Sequence, residues 1–273
     1  MQFCGWAQCA PPCRWLRSTV GSNEARSDIG NRRESLGTEY DQSKNSIDNI
    51  QTIQRHTSRL RQYHQHLWSK LLDNGVLFNL STSTVGTYLH HKSDVGEFSL
   101  SSDSVIPTYE YWKTPPPHFA EIPIAEQEEF ARISYTMGGM IVFPSNPIGG
   151  KWTINQARGT NRTTIGDRFD LTLECIRRHY LGESADSPLA ETLARYADFF
   201  ALFVDFPGYV DFFILQDLVT EDHATVRFFT PFGNFATPAV PQTLTEFELY
   251  RKLSIEFVAA RNHRIADLSH RTE

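Results

Sequence analysis

Phe169, Leu173, Ile176 and Tyr180 recur at i, i+4, i+7 and i+11, which puts four large apolar side chains on one helix face and predicts a helix over Asp167 to Leu181, ended by Gly182. Such a face has to be buried against something. Ser187 and Pro188 open the next segment, whose stripe of Leu189, Leu193, Tyr196, Phe200 and Phe203 runs until Pro207 and Gly208. Gly208 to Val219 is dense enough in apolar residues for a buried helix or a strand; periodicity does not separate the two, and helix is the preferred reading. Thr243 with Glu246 forms a capping box ahead of a long amphipathic helix carrying Phe247, Tyr250, Phe257 and Ile265. The second half of the chain is therefore read as mostly helical, with a late strand over Val226 to Phe229.

The first half reads differently. Ile50, Ile53, Leu60, Tyr63 and Leu67 give an imperfect helical stripe that stops at the turn signal Asp73, Asn74, Gly75. Val76 to Ile106 is rich in β-branched and aromatic residues punctuated by Gly86 and Gly96, and predicts two or three strands including Glu97 to Leu100, joined by short connections that favour antiparallel pairing. Pro123 suits the first turn of a helix running to about Met137, where Gly138 and Gly139 would end it. Met140 to Phe143 reads as a buried strand stopped by Pro144, with Lys151 to Ile154 as its hairpin partner. Together these elements predict an α+β fold, a small and mainly antiparallel sheet covered by helices from the second half of the chain.

Residues 1 to 47 show no sustained period and are rich in Ser, Arg, Asn and Gly, so they are read as a disordered or non-native N-terminal extension, with residues 48 to 273 as one globular domain. No apolar run approaches the roughly 20 residues needed to cross a bilayer, and Met1 to Leu16 lacks the basic and apolar regions of a secretory signal, so a cytoplasmic protein without membrane contact is expected.

Charge narrows the function classes. The net charge is −6, and residues beyond position 70 carry sixteen Lys or Arg against twenty-six Asp or Glu, which disfavours nucleic-acid binding through a general basic surface. Cys4, Cys9 and Cys13 match no zinc or iron–sulfur spacing, Cys175 reads as a small buried hydrophobe, and the pairs His64/His66 and His90/His91 point their rings apart in regular structure. Neither metal nor cofactor is expected. Asp103, Glu110 and Lys113 miss the spacing of a metal-nuclease triad by one residue. Phosphate-cradling glycine loops and the G-x-S-x-G elbow are also missing from the sequence.

One stretch stands out against the acidic background. Asn155 to Arg178 gathers five arginines within twenty-one residues, on a polar loop and the helix that follows it. Arg158 and Arg162, just before a helix N-terminus, are expected to hold an anion, with Asn155, Arg168, Asp170 and Glu174 completing the site. The competing reading pairs these arginines with Asp170, Glu174 and the aspartates of the next two helices as a structural network. Two functions remain open: a soluble binding or regulatory protein that recognises an anionic small molecule, nucleotide or partner, and an enzyme acting on a nucleotide or nucleic acid with carboxylates near Arg158 and Arg168.

The runs DRFDLTLECIRRHY (Asp167 to Tyr180) and GYVDFFILQDLV (Gly208 to Val219), with LWSK, GEFSLSSDS and INQARG, resemble a family of uncharacterised, mostly bacterial proteins classed as a domain of unknown function. The resemblance covers roughly residues 55 to 266. It implies membership and supplies no activity, cofactor or catalytic residue.

Overall fold

Strand β4 (Gly96–Ser104) is the centre of a three-stranded antiparallel sheet with β3 (Leu89–Ser93) on one side and β5 (Met140–Pro144) on the other. The computed structural model describes residues 58–110 and 112–271. The expected N-terminal extension, residues 1 to 47, lies outside these, as do Ile50 and Ile53. Leu89 pairs with Leu100 across β3 and β4, and Asp103 with Ile141 across β4 and β5. A second sheet is a two-residue ladder of β1 (Lys70–Leu71) and β2 (Leu77–Phe78), closed by the predicted Asp73-Asn74-Gly75 turn.

Helix α1 (Ser58–Trp68) buries Leu60, His64 and Trp68, which follow one another at i+4. Helix α2 (Ile124–Ser134) starts after Pro123 and stops before Met137, because Met137–Gly139 tightens into a 3-10 turn. The predicted hairpin between β5 and Lys151 to Ile154 does not form. β5 pairs with β4, and Ile154 opens helix α3 (Ile154–Thr160) under a capping box in which Gln156 N donates to Thr153 Oγ1 at 3.3 Å and Thr153 N to Gln156 Oε1 at 3.0 Å.

Helix α4 (Phe169–Leu181) ends at Gly182, whose φ of 72° supplies the left-handed turn. The segment predicted as one helix up to Phe203 is broken at Tyr196 into α5 (Ala190–Arg195) and α6 (Ala197–Ala201), and the Tyr196 hydroxyl donates to the Asn146 carbonyl at 2.8 Å. Helix α7 (Phe206–Phe212) is capped by Asp205, which accepts from Gly208 N at 2.8 Å. Gly208 to Val219 is thus α-helical as far as Phe212 and turns once more as a 3-10 helix over Gln216–Leu218. Val226 contributes a single bridge to Val219 in place of the expected strand. Helix α8 (Leu244–Arg271) completes the fold.

The aromatic residues of α6 and α7 fill the space beside the sheet. Phe203 meets Phe212 at 4.8 Å, Phe213 at 5.1 Å and Phe199 at 5.3 Å between ring centroids, with Phe78 and Trp68 joining through Phe212. Helix α8 reaches the 3-10 turn before β5 and the first residue of that strand. Arg261, wholly buried, donates to the carbonyls of Gly138 and Met140 at 2.8 Å each and to Phe213 and Ile214 at 2.9 and 3.1 Å. One buried guanidinium thus ties the start of β5 to the carbonyls that follow α7.

Candidate functional site

Arg158 comes from α3 and points inward. Its Nη1 donates to Asp103 Oδ2 at 2.7 Å, Nε to Thr172 Oγ1 at 2.9 Å, and Nη2 to the carbonyls of Asp167 and Ser104 at 2.9 and 3.2 Å. The rings of Phe143 and Phe169 each lie 5.7 Å from its guanidinium carbon. The side chain is fully buried, and four of its five N–H groups are used. This corrects the expectation of an accessible anion-binding Arg158. Asp167 helps by adopting a left-handed φ of 62°, tolerable for Asp, which turns its carbonyl onto Arg158.

Arg168, Asp170 and Glu174 are likewise committed. Arg168 grips Asp170 through Nε and Nη2 and reaches Thr230 Oγ1 at 2.6 Å and the Ala239 carbonyl at 2.7 Å, while Asp170 Oδ2 accepts from Phe229 N at 2.9 Å. The pair ties the start of α4 to the irregular segment 226–240. Burial alone would raise the Glu174 carboxyl, yet hydrogen bonds from Arg177 and Arg178, at 2.8 and 2.7 Å, hold it below the usual carboxylate range. Asn155 donates to Ser101 Oγ at 3.0 Å, and its Oδ1 is buried without a hydrogen-bond partner.

Arg162 is the exception among the five arginines. It is exposed, its guanidinium carbon sits 4.3 Å from the centroid of Trp112, and no carboxylate pairs with it among the described residues. The loop that carries it is well tied. Asn161 Oδ1 accepts from Thr164 N and Oγ1 at 3.2 and 2.7 Å, and the Thr163 carbonyl accepts from Ala239 N at 3.0 Å. Lys113, next to Trp112, is exposed and also without an ion pair among the described residues. Trp112 thus has one unpaired cation, Arg162, over its ring and another, Lys113, next to it in sequence.

His64 and Ser102 touch at 2.9 Å, the contact of a base and a nucleophile. Trp68 Nε1 can only donate, and it donates to His64 Nδ1 at 3.0 Å, so the neutral ring carries its proton on Nε2 and gives it to Ser102. The polarity is wrong for activating the serine. Burial pushes the Cys175 thiol up to about 12, which removes it as a nucleophile near neutral pH. Among the described residues no cluster of His, Cys, Asp or Glu is placed to hold a metal ion, and no helix is long and apolar enough to cross a membrane.

Sequence reasoning passed over Lys70. This residue lines both of two neighbouring clefts, of about 300 and 210 Å³, whose walls also share Asp211. Its local signals are its place next to the end of α1 and the turn that follows, and its carbonyl partner Phe212 lies 142 residues away.

A family described as a family of unknown function (DUF6994) matches residues 38–265. No curated protein and no solved structure matches the chain.

Proposed function

We propose, for a chain that belongs to the family of unknown function (DUF6994), that it is a binding protein which takes an anionic small molecule or nucleotide against Arg162 and Trp112. What supports the reading is the contrast within one arginine-rich stretch: Arg158, Arg168, Arg177 and Arg178 are engaged by carboxylates or buried, while Arg162 is exposed with its guanidinium carbon over an indole. A guanidinium resting over an aromatic ring is partly ordered before a ligand arrives, which lowers the entropy lost on binding a carboxylate or phosphate. Lys113, exposed and next to Trp112 in sequence, is a second positive charge available to the same ligand.

The alternative, an enzyme acting on a nucleotide or nucleic acid, would use Asp103 and Asp167, whose side chains are 15% and 21% exposed above Arg158. The buried guanidinium commits both carboxylates to holding the fold, and this favours binding over catalysis.

Thermal denaturation with inorganic phosphate, AMP or ATP tests the reading. A ligand at a hundred times its Kd stabilises the native state by about 2.7 kcal/mol, and that gain should vanish in Arg162→Ala. No stabilisation of the parent by any of the three, or stabilisation that survives Arg162→Ala, would overturn it.

A further inference from the structure

The two clefts that meet at Lys70 lie far from Arg162 in sequence and are built from other elements. The first is walled by Asp211, Ile214 and Gln216, and by Arg264, Asp267 and Leu268 of α8; the second by Leu71, Leu72 and Asp73 of the β1–β2 hairpin, with Phe203, Gly208 and Phe212. Lys70 Nζ donates to the Phe212 carbonyl at 2.6 Å and stands 4.5 Å from the Phe212 ring centroid and 5.4 Å from that of Trp68. Behind Trp68 lies the Arg261 guanidinium, 5.8 Å from the same indole and bonded only to carbonyl oxygens.

The amine is therefore half-buried against two aromatic rings, with the Arg261 cation, held by carbonyl oxygens alone, near the same indole. Burial first, then Arg261, disfavour the ammonium, against a smaller opposing pull from Asp211, and the pKa falls from the ordinary lysine value to about 8. The other charges around the clefts are largely occupied or peripheral. Gln216 Nε2 donates to Asp211 Oδ1 at 2.9 Å, Asp217 is gripped by Arg264 through Nε and Nη2 at 2.6 and 2.9 Å, and Asp73 and Asp267 are exposed on the rims. That grip leaves Arg264 Nη1, with its two N–H groups, unused by Asp217.

We infer that Lys70 is a carbonyl-capturing amine, and that its cleft takes a small 2-oxo acid whose carboxylate reaches Arg264 Nη1. A neutral amine still donates one N–H to the Phe212 carbonyl and keeps its lone pair for attack. The lone pair forms the C–N bond to the carbonyl carbon, the oxygen takes up a proton to give a carbinolamine, and loss of water leaves an imine. No electrons are exchanged with a third party. An ammonium held as a fixed donor to Phe212, the purely structural role for Lys70, has no lone pair and does none of this.

Glyoxylate with cyanoborohydride, which traps the imine by delivering hydride to its carbon, tests the inference on the folded full chain at pH 7.5. Chymotryptic peptide mass spectrometry reads the carboxymethyl adduct at each lysine. A pKa lower by more than two units gives a roughly hundredfold larger neutral fraction, so Lys70 is expected to be labelled at least about tenfold faster than the exposed Lys151 and Lys252, with a rate that rises through a midpoint near pH 8 and a preference lost in urea. Equal or slower labelling of Lys70, or a midpoint above about pH 10, the ordinary lysine range, overturns the proposal. Arg264→Ala should slow labelling by glyoxylate and leave labelling by acetaldehyde unchanged; an unchanged glyoxylate rate overturns the recognition of a carboxylate. Arg162→Ala should affect neither reagent, so failure here is distinguishable from failure of the anion-binding reading.

Discussion

Arg158 Nη1 lies 2.7 Å from Asp103 Oδ2, joining α3 to the central strand of the sheet across 55 residues of chain. Four residues on, Arg162 stands in solvent over Trp112. The two arginines look alike in sequence and occupy opposite electrostatic situations.

The difference should be measurable in stability. Arg158→Ala leaves Asp103 beside an uncompensated void and is expected to cost about 3 to 5 kcal/mol. Arg162→Ala removes an exposed side chain and should stay within about 0.5 kcal/mol. Urea midpoints of the two variants decide it; equal midpoints would show that Arg158 carries no more of the fold than Arg162.

The start of α8 offers a second test. Glu246 N donates to Thr243 Oγ1 at 3.2 Å, as the capping box predicts, but the Glu246 carboxylate accepts from Gln242 N at 2.7 Å and not from the backbone of Thr243. Both halves still satisfy exposed helix-start donors. Replacing Thr243 and Glu246 together by Ala should cost about 1 to 2 kcal/mol by urea denaturation.

Acid should act partly through Glu174. Its folded pKa is depressed, so its contribution is complete above the unfolded glutamate value of about 4.3 and is lost as pH falls through the lower folded value. Glu174→Gln should therefore be less stable than the parent at neutral pH, and the gap should close on acidification. A gap that stays constant between pH 7 and pH 3 would mean that the two arginines do not hold the charge.

Gly138 lets the 3-10 turn sit against α8. A Cβ there would lie 2.5 Å from the Val258 carbonyl oxygen, while Gly138 N donates to Asn262 Oδ1 at 2.7 Å. Gly138→Ala is expected to destabilise by about 1 to 3 kcal/mol through forced separation of these backbones, visible as a lower midpoint with an unchanged urea slope.

Legibility followed sequence distance. The α+β class, α4 with its Gly182 stop and the β3–β4 pairing could be read because their signals are local. One local signal was missed: Thr153 and Gln156 spell a capping box, which would have started α3 at Ile154 and ruled out the hairpin partner for β5. The break at Tyr196 has neither Gly nor Pro to announce it. The candidate site suffered most, because Arg158 is decided by Asp103, Thr172 and Asp167 together, and nothing near Arg158 distinguishes it from Arg162. Lys70 was invisible for the same reason, since Phe212 and Arg261 reach it only through the fold.

Arg261 also sets a deadline during synthesis. Its partners Gly138 and Met140 precede it by 123 and 121 residues, and Tyr250 reaches back 143 residues to the Pro107 carbonyl. A nascent chain that has not yet emerged from the ribosome through residue 261 can have made the strands β1 to β5 and the helices α1 to α7, yet the carbonyls of Gly138, Met140, Phe213 and Ile214 still lack the guanidinium that joins them. Closure of such long loops is the slow part of folding. A stalled or truncated product ending before Arg261 should therefore aggregate more readily than the full chain.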